Sequence, residues 1–159
     1  MIQYTRFHKI LEILSLLFLL ASLVIFFLNW QNLPDRVPVH YDINGTPNRI
    51  GSRMELLLIP GMGILIYLLN SLLRIIPCRL WNTPCKITDA NRIFVYSATF
   101  SMSQIIKLEI MIFWLLISFY SSTTHSPPNW ILFSFVAALV ITIVTFYISV
   151  MIKNRRFSK

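Results

Sequence analysis

The chain has 159 residues, 56% of them hydrophobic and only 13% charged, and a formal net charge of +8. An ordinary soluble domain is about a quarter charged, so too little polar sequence is present here to cover a buried all-α core. The positive balance does not point to nucleic acid, because the basic residues gather beside apolar runs, where they orient membrane helices and meet lipid headgroups.

Several apolar runs reach the roughly 20 residues that a helix needs to cross a bilayer, and the mean hydropathy of +0.68 agrees. The first run covers 10–30, behind Arg6 and Lys9. A basic start and an apolar core also describe a signal peptide. This run is too long for a signal core and ends in Asn29-Trp30-Gln31-Asn32 without a small-residue cleavage site, so a retained transmembrane helix is expected. Glu12 falls one turn inside it, and the expected partners are Arg6, Lys9 or water at the headgroups.

A polar loop over 31–52 follows. Asn44-Gly45 is a two-residue hairpin signal, since both residues tolerate positive φ. Val37 to Ile43 alternates with β-branched character, and Pro47 weakens a strand after the turn, so a short irregular hairpin is expected. Ser52-Arg53-Met54-Glu55 reads as a capping box opening a second helix over 53–76. Pro60 should kink that helix, Gly61 and Gly63 should let a neighbour approach, and Arg74 should snorkel to the interface.

A basic loop with Cys78, Arg79, Trp81, Cys85 and Lys86 precedes a third helix over 89–120, which Thr88-Asp89 is expected to cap. A turn with His125 and Pro127-Pro128 leads to a fourth helix over 130–152 and a basic tail. The fold expected is an all-α membrane protein, a single integral membrane domain over 1–159 with four transmembrane helices and a structured outer loop between the first two.

Lysine and arginine counts set the orientation. The N-terminal end, the loop after helix two and the tail hold ten; the loop over 31–52 with Arg53 holds three. This asymmetry predicts both termini in the cytoplasm and the 31–52 loop outside. Cys78 and Cys85 then lie on the reducing side, where a structural disulfide is not expected.

Two ionisable residues sit inside the third helix. Lys107 is about 21 Å of helical rise from Ile93 and about 20 Å from Tyr120. Glu109 is two residues on, about 200° around the helix, so the two should face opposite ways. An ionised side chain at the bilayer centre costs about 2.5–3.5 kcal/mol on insertion scales, so each needs a facing partner, from other helices or a homo-oligomer contact. An ion path, a ligand pocket, a structural ion pair, and a slid helix with Lys107 snorkelling all remain open. In the loop, His40 and Asp42 would share one hairpin face. They supply only half of a metal or acid–base site, and a local loop-fixing role for His40 is preferred. His8 and His125 lie near interfaces with no telling spacing. No GxSxG, HExxH, Walker or GxGxxG pattern is present. No catalytic residue, metal or cofactor is assigned, and the chain reads as non-enzymatic.

The loop also carries a resemblance. Leu33-Pro34, Pro38, His40, Gly45, Pro47 and Gly51-Ser52 stand at the spacings of LP-x-x-(I/V)P-x-H-x-x-x-x-G-x-P-x-x-x-GS. That pattern resembles the bacterial membrane family known as domain of unknown function 1648, a module shared with SdpI-type toxin-immunity proteins. Lys86-Ile87-Thr88, Asn91, Tyr96, Met102 and Lys107 resemble a second segment of one group of these proteins. Ala90, Ala98 and Ser101 depart from it, and Glu109 is not part of it. The resemblance implies a bacterial plasma-membrane protein with a sensing, immunity or envelope-stress role and a peptide or envelope ligand for the loop. A small transporter or channel component using Lys107 and Glu109 is the alternative.

Overall fold

The computed structural model describes residues 4–42 and 44–155. Ile43, at the end of the alternating stretch, and the last four residues of the basic tail lie outside them. The order is α1 (Arg6–Asn29), β1 (Arg36–Tyr41), β2 (Pro47–Ser52), α2 (Leu58–Leu72), α3 (Arg92–Ser122) and α4 (Asn129–Asn154). Short 3₁₀ turns follow α1 and precede α2. Among the described residues four helical segments are long and apolar enough to cross a membrane.

α1 and α3 form the main helix pair. The buried face of α1 is His8, Leu11, Ser15, Leu19, Ser22 and Phe26, a three-four spacing that lines one stripe. Ser15 and Ser22 donate to the carbonyls of Leu11 and Leu19 at 2.8 and 2.7 Å, which satisfies their hydroxyls within their own helix. Small side chains then let α3 come close. At the start of α1 the Thr5 N–H donates to His8 Nδ1 at 3.1 Å. That leaves Nε2 to carry the proton and donate to Ser101 Oγ at 2.8 Å. His8 is therefore a buried cap and interhelical bond at the start of α1.

α2 is shorter than expected. Ser52 and Glu55 do form the capping box, with Ser52 N–H donating to Glu55 Oε1 at 3.0 Å and Met54 N–H to Ser52 Oγ at 3.3 Å. It opens a 3₁₀ turn over Arg53–Leu57, and α-helix proper begins at Leu58. Pro60 thus falls in the first α-turn, where its missing N–H costs little. At the other end α2 stops at Leu72, and residues 73–76 continue as turns, so the helix does not reach Pro77. Of the two glycines only Gly63 admits a neighbour. A Cβ there would stand 2.6 Å from Trp114 Cδ1 and Nε1, while nothing lies within 4 Å of one at Gly61. Trp114 uses the space to donate to the Ile59 carbonyl at 2.8 Å.

α3 begins three residues later than expected, because Thr88 pairs with Asn91 rather than acting with Asp89. Thr88 N–H donates to Asn91 Oδ1 at 2.8 Å, and Asn91 Nδ2 donates to the Lys86 carbonyl at 2.9 Å and to Asn154 Oδ1 at 2.8 Å. The Lys86-Ile87-Thr88-x-x-Asn91 spacing is therefore a closed turn, and it ties the start of α3 to the end of α4. Asp89 is exposed and meets Arg92 at 3.3 Å. Arg74 lies over the Tyr4 ring at 4.4 Å, and Trp81 stacks on Phe100. Cys78 and Cys85 are free thiols. α4 buries only Ile131 and Val150 fully and leaves most of its surface open to lipid.

The hairpin pairs antiparallel, with Arg36 opposite Ser52, Val37 opposite Gly51 and Pro38 opposite Ile50, then slips beside His40. Pro47 starts β2, a position that proline tolerates. The turn is not the paired left-handed Asn-Gly type. Among the described residues before α2 only Gly45 has positive φ, at +79°. Asp42 organises the tip: its carbonyl accepts from Gly45 N–H, and its Oδ1 accepts from Asn44 and Thr46 N–H at 2.9 and 2.8 Å. This is the longer hairpin turn, with glycine in the left-handed position before the strand resumes.

Candidate functional site

Inside the span, Lys107 is completely buried and bridges three helices. Its Nζ donates to Glu12 Oε1 on α1 at 2.8 Å and to Ser71 Oγ on α2 at 2.7 Å. It also lies 3.7 Å from the centre of the Tyr67 ring, a cation–π contact. The Tyr67 hydroxyl closes the ring of contacts by donating to the same Glu12 oxygen at 2.7 Å. Ser71 in turn donates to the Tyr67 carbonyl at 2.9 Å. All three ammonium positions are occupied, which is what lets a cation remain in a low-dielectric interior. The ammonium itself is buried, while its partner Glu12 is only half-buried, in the second turn of α1.

Glu12 is the residue that sequence reasoning misplaced. Its side-chain partners are Lys107 and Tyr67 rather than Arg6 or Lys9. The available signal was complementary: Glu12 and Lys107 are opposite charges inside otherwise apolar spans. Ser71 and Tyr67, four residues apart on one face of α2, carried no signal of their own.

Glu109 faces the other way, as its 200° offset requires. Thr142 on α4 donates to its Oε1 at 2.6 Å, and its Oε2 is buried without a partner. Lys107 and Glu109 are therefore not one site. Each belongs to a different helix interface.

The hairpin residues assemble around the helix ends. Leu33 and Val37 are buried with Phe26 and Leu56. Arg53 fastens the root: its N–H donates to the Asp35 carbonyl at 3.0 Å, and its guanidinium reaches the Leu33 carbonyl at 3.3 Å and Asp35 at 3.5 Å. Gly51 leaves the room that Glu55 and Val39 occupy, since a Cβ there would collide with the Glu55 carboxylate. Glu55 pairs with Arg49 at 2.8 Å. Pro34 and Pro47 are exposed and Pro38 is half-buried. At the tip, Tyr41, Asp42 and Gly45 roof a cavity of about 190 Å³ above Phe113, Ile117 and Ile131. The Tyr41 hydroxyl is buried without a partner, and burial raises its pKa, so it stays neutral.

His40 and Asp42 are not brought together. His40 Nδ1 pairs with Asn48 Oδ1 across the strands at 2.6 Å, while Asp42 is committed to the turn. Among the described residues no three histidine, cysteine or acidic side chains gather as metal ligands. His125 is exposed in the turn before α4.

Four apolar helices, a buried interhelical ion pair and a small hairpin on one end define a multi-pass, all-α membrane protein. Within it, residues 17–64 match the family model described as Domain of unknown function (DUF1648). The match takes in the hairpin, the end of α1 and the start of α2. Glu12, Tyr67, Ser71 and Lys107 all lie outside it. No curated protein and no solved structure matches the chain.

Proposed function

We propose that this is a non-enzymatic protein of a bacterial plasma membrane, with both termini cytoplasmic, whose outer hairpin recognises a peptide or envelope component in a sensing, immunity or envelope-stress role. The observation that carries this reading is the way the hairpin is held. Its root is bolted by Arg53 and its tip rests over the α3–α4 turn, yet His40, Asn48, Arg49 and Ile50 stay exposed. A rigidly mounted hairpin with one apolar and several polar side chains exposed suits peptide recognition. The buried ion pair serves that role by holding α1, α2 and α3 in one arrangement.

A deletion strain challenged with envelope-active peptides and rescued by variants tests it. His40→Ala combined with Ile50→Asp should lose rescue at unchanged membrane abundance. Full rescue by that variant would sink the recognition role. Cysteines placed at Asn44 and Ser158 should differ in labelling of intact cells, the first reacting and the second not.

A second reading, a small transporter or channel component, is favoured by one observation, the ionic cluster that joins α1, α2 and α3. Liposomes holding the pure protein should then show flux that depends on pH or potential. Flux should disappear in the double variant Glu12→Gln/Lys107→Met, which removes both charges together. Absence of flux in the wild type removes this reading.

A further inference from the structure

The chain has six carboxylates, and their partners differ in kind. Among the described residues, Glu12, Asp35, Glu55 and Asp89 each meet a lysine or arginine. Asp42 takes two backbone N–H groups. Glu109 has one hydroxyl on one oxygen and nothing on the other. It is also the one placed between α3 and α4, the helix pair most open to lipid.

Glu109 lines a groove of about 180 Å³ with Ile112, Phe113, Leu116, Ile131 and Phe135. A buried apolar cavity of about 150 Å³ holds one benzene ring, so this groove has room for one aromatic ring. Phe113 and Phe135 stack at 4.2 Å and form an aromatic wall. Such a wall favours both a flat ring and a positive charge. The groove shares Phe113 and Ile131 with the cavity beneath the hairpin tip, so the two adjoin.

We propose that the α3–α4 groove is a binding site for a lipophilic aromatic cation, with one ring against Phe113 and Phe135 and the charge on the free oxygen of Glu109. The terminal carboxyl torsion is soft, so Oε2 can turn toward the groove while Thr142 keeps Oε1. A second copy of the chain does not answer the need as well. Lys107, the one cation in the middle of a span among the described residues, is consumed by Glu12. A lipid acyl chain would fill the space but leave the carboxylate unpaired. This site does not depend on what the hairpin recognises.

The test uses the full-length protein in uncharged phosphatidylcholine nanodiscs, with protein-free discs as baseline. Tetraphenylphosphonium binding is measured by equilibrium dialysis. Saturable binding near one per chain is expected. Glu109→Gln should weaken it at least roughly tenfold, as loss of a facing charge does. Phe113→Leu should weaken it less, and Asp89→Asn should leave it unchanged. Tetraphenylborate, the same shape with the opposite charge, should not compete. Partition alone in the wild type, unaltered binding in Glu109→Gln, or equal competition by the borate would each overturn the proposal. Should Glu109→Gln fail to fold by circular dichroism, charge selectivity and Phe113→Leu still decide it.

Discussion

Lys107 and Glu109 stand two residues apart on the same helix and live in opposite circumstances. On the side facing α1 and α2, one cation meets a carboxylate, a hydroxyl and an aromatic face, and no ammonium position is left over. On the side facing α4, a carboxylate meets a single threonine hydroxyl. The difference teaches that a charge in a membrane helix is settled by the neighbouring helix it faces rather than by its neighbours in sequence. The first side is built to hold helices together. The second is left with binding capacity.

The comparison breaks most visibly at Lys107. Lys107→Met leaves the half-buried Glu12 without its cation, and the expected loss is at the lower end of about 3–5 kcal/mol, read from thermal unfolding in detergent. Adding Glu12→Gln should recover most of that loss, because the pair then disappears as a unit. A double variant as weak as the single one would mean that the pair is not the clamp. Gly63→Ala sharpens the same side. The new Cβ meets Trp114, and overpacking of this kind costs about 1–3 kcal/mol. The α4 side should respond far less. Thr142→Val removes one interhelical hydrogen bond, worth about 0.6 kcal/mol on average in membranes. Glu109→Gln keeps an acceptor for Thr142 and loses no ion pair, so stability should stay within about 0.5 kcal/mol. A loss as large as that of Lys107→Met would show that Glu109 has a partner inside the fold.

The four helices were legible because run length alone identifies a membrane helix, and the Ser52–Glu55 cap and the hairpin were legible because caps and turns are local chemistry. Helix ends were less so. Leu72 to Ile76 is apolar but for Arg74 and holds no helix breaker, yet the chain leaves the helix as turns before the proline it was expected to reach. The hairpin turn was misjudged because Asp42, not Asn44, organises it. The Glu12–Lys107 contact was hidden for a deeper reason. In a soluble helix the apolar stripe marks the buried face. In α1 both faces are apolar, and the buried one holds Ser15, Ser22 and His8 while Leu17, Leu20 and Val24 face outward. Hydropathy then cannot say which side of α1 meets α3, nor that residues 95 positions apart will touch.

That separation bears on how the protein is made. The ribosome delivers Glu12 and Tyr67 well before Lys107, so α1 and α2 enter the bilayer with a carboxylate that has no cation. Until α3 arrives, the nascent chain is an incomplete circuit, held back from the lipid or shielded by the insertion machinery. A chain stopped after α2 should therefore be degraded quickly when expressed alone and persist when α3 and α4 are supplied as a separate fragment. In that sense Lys107 is a checkpoint for assembly, and the third helix certifies the first two.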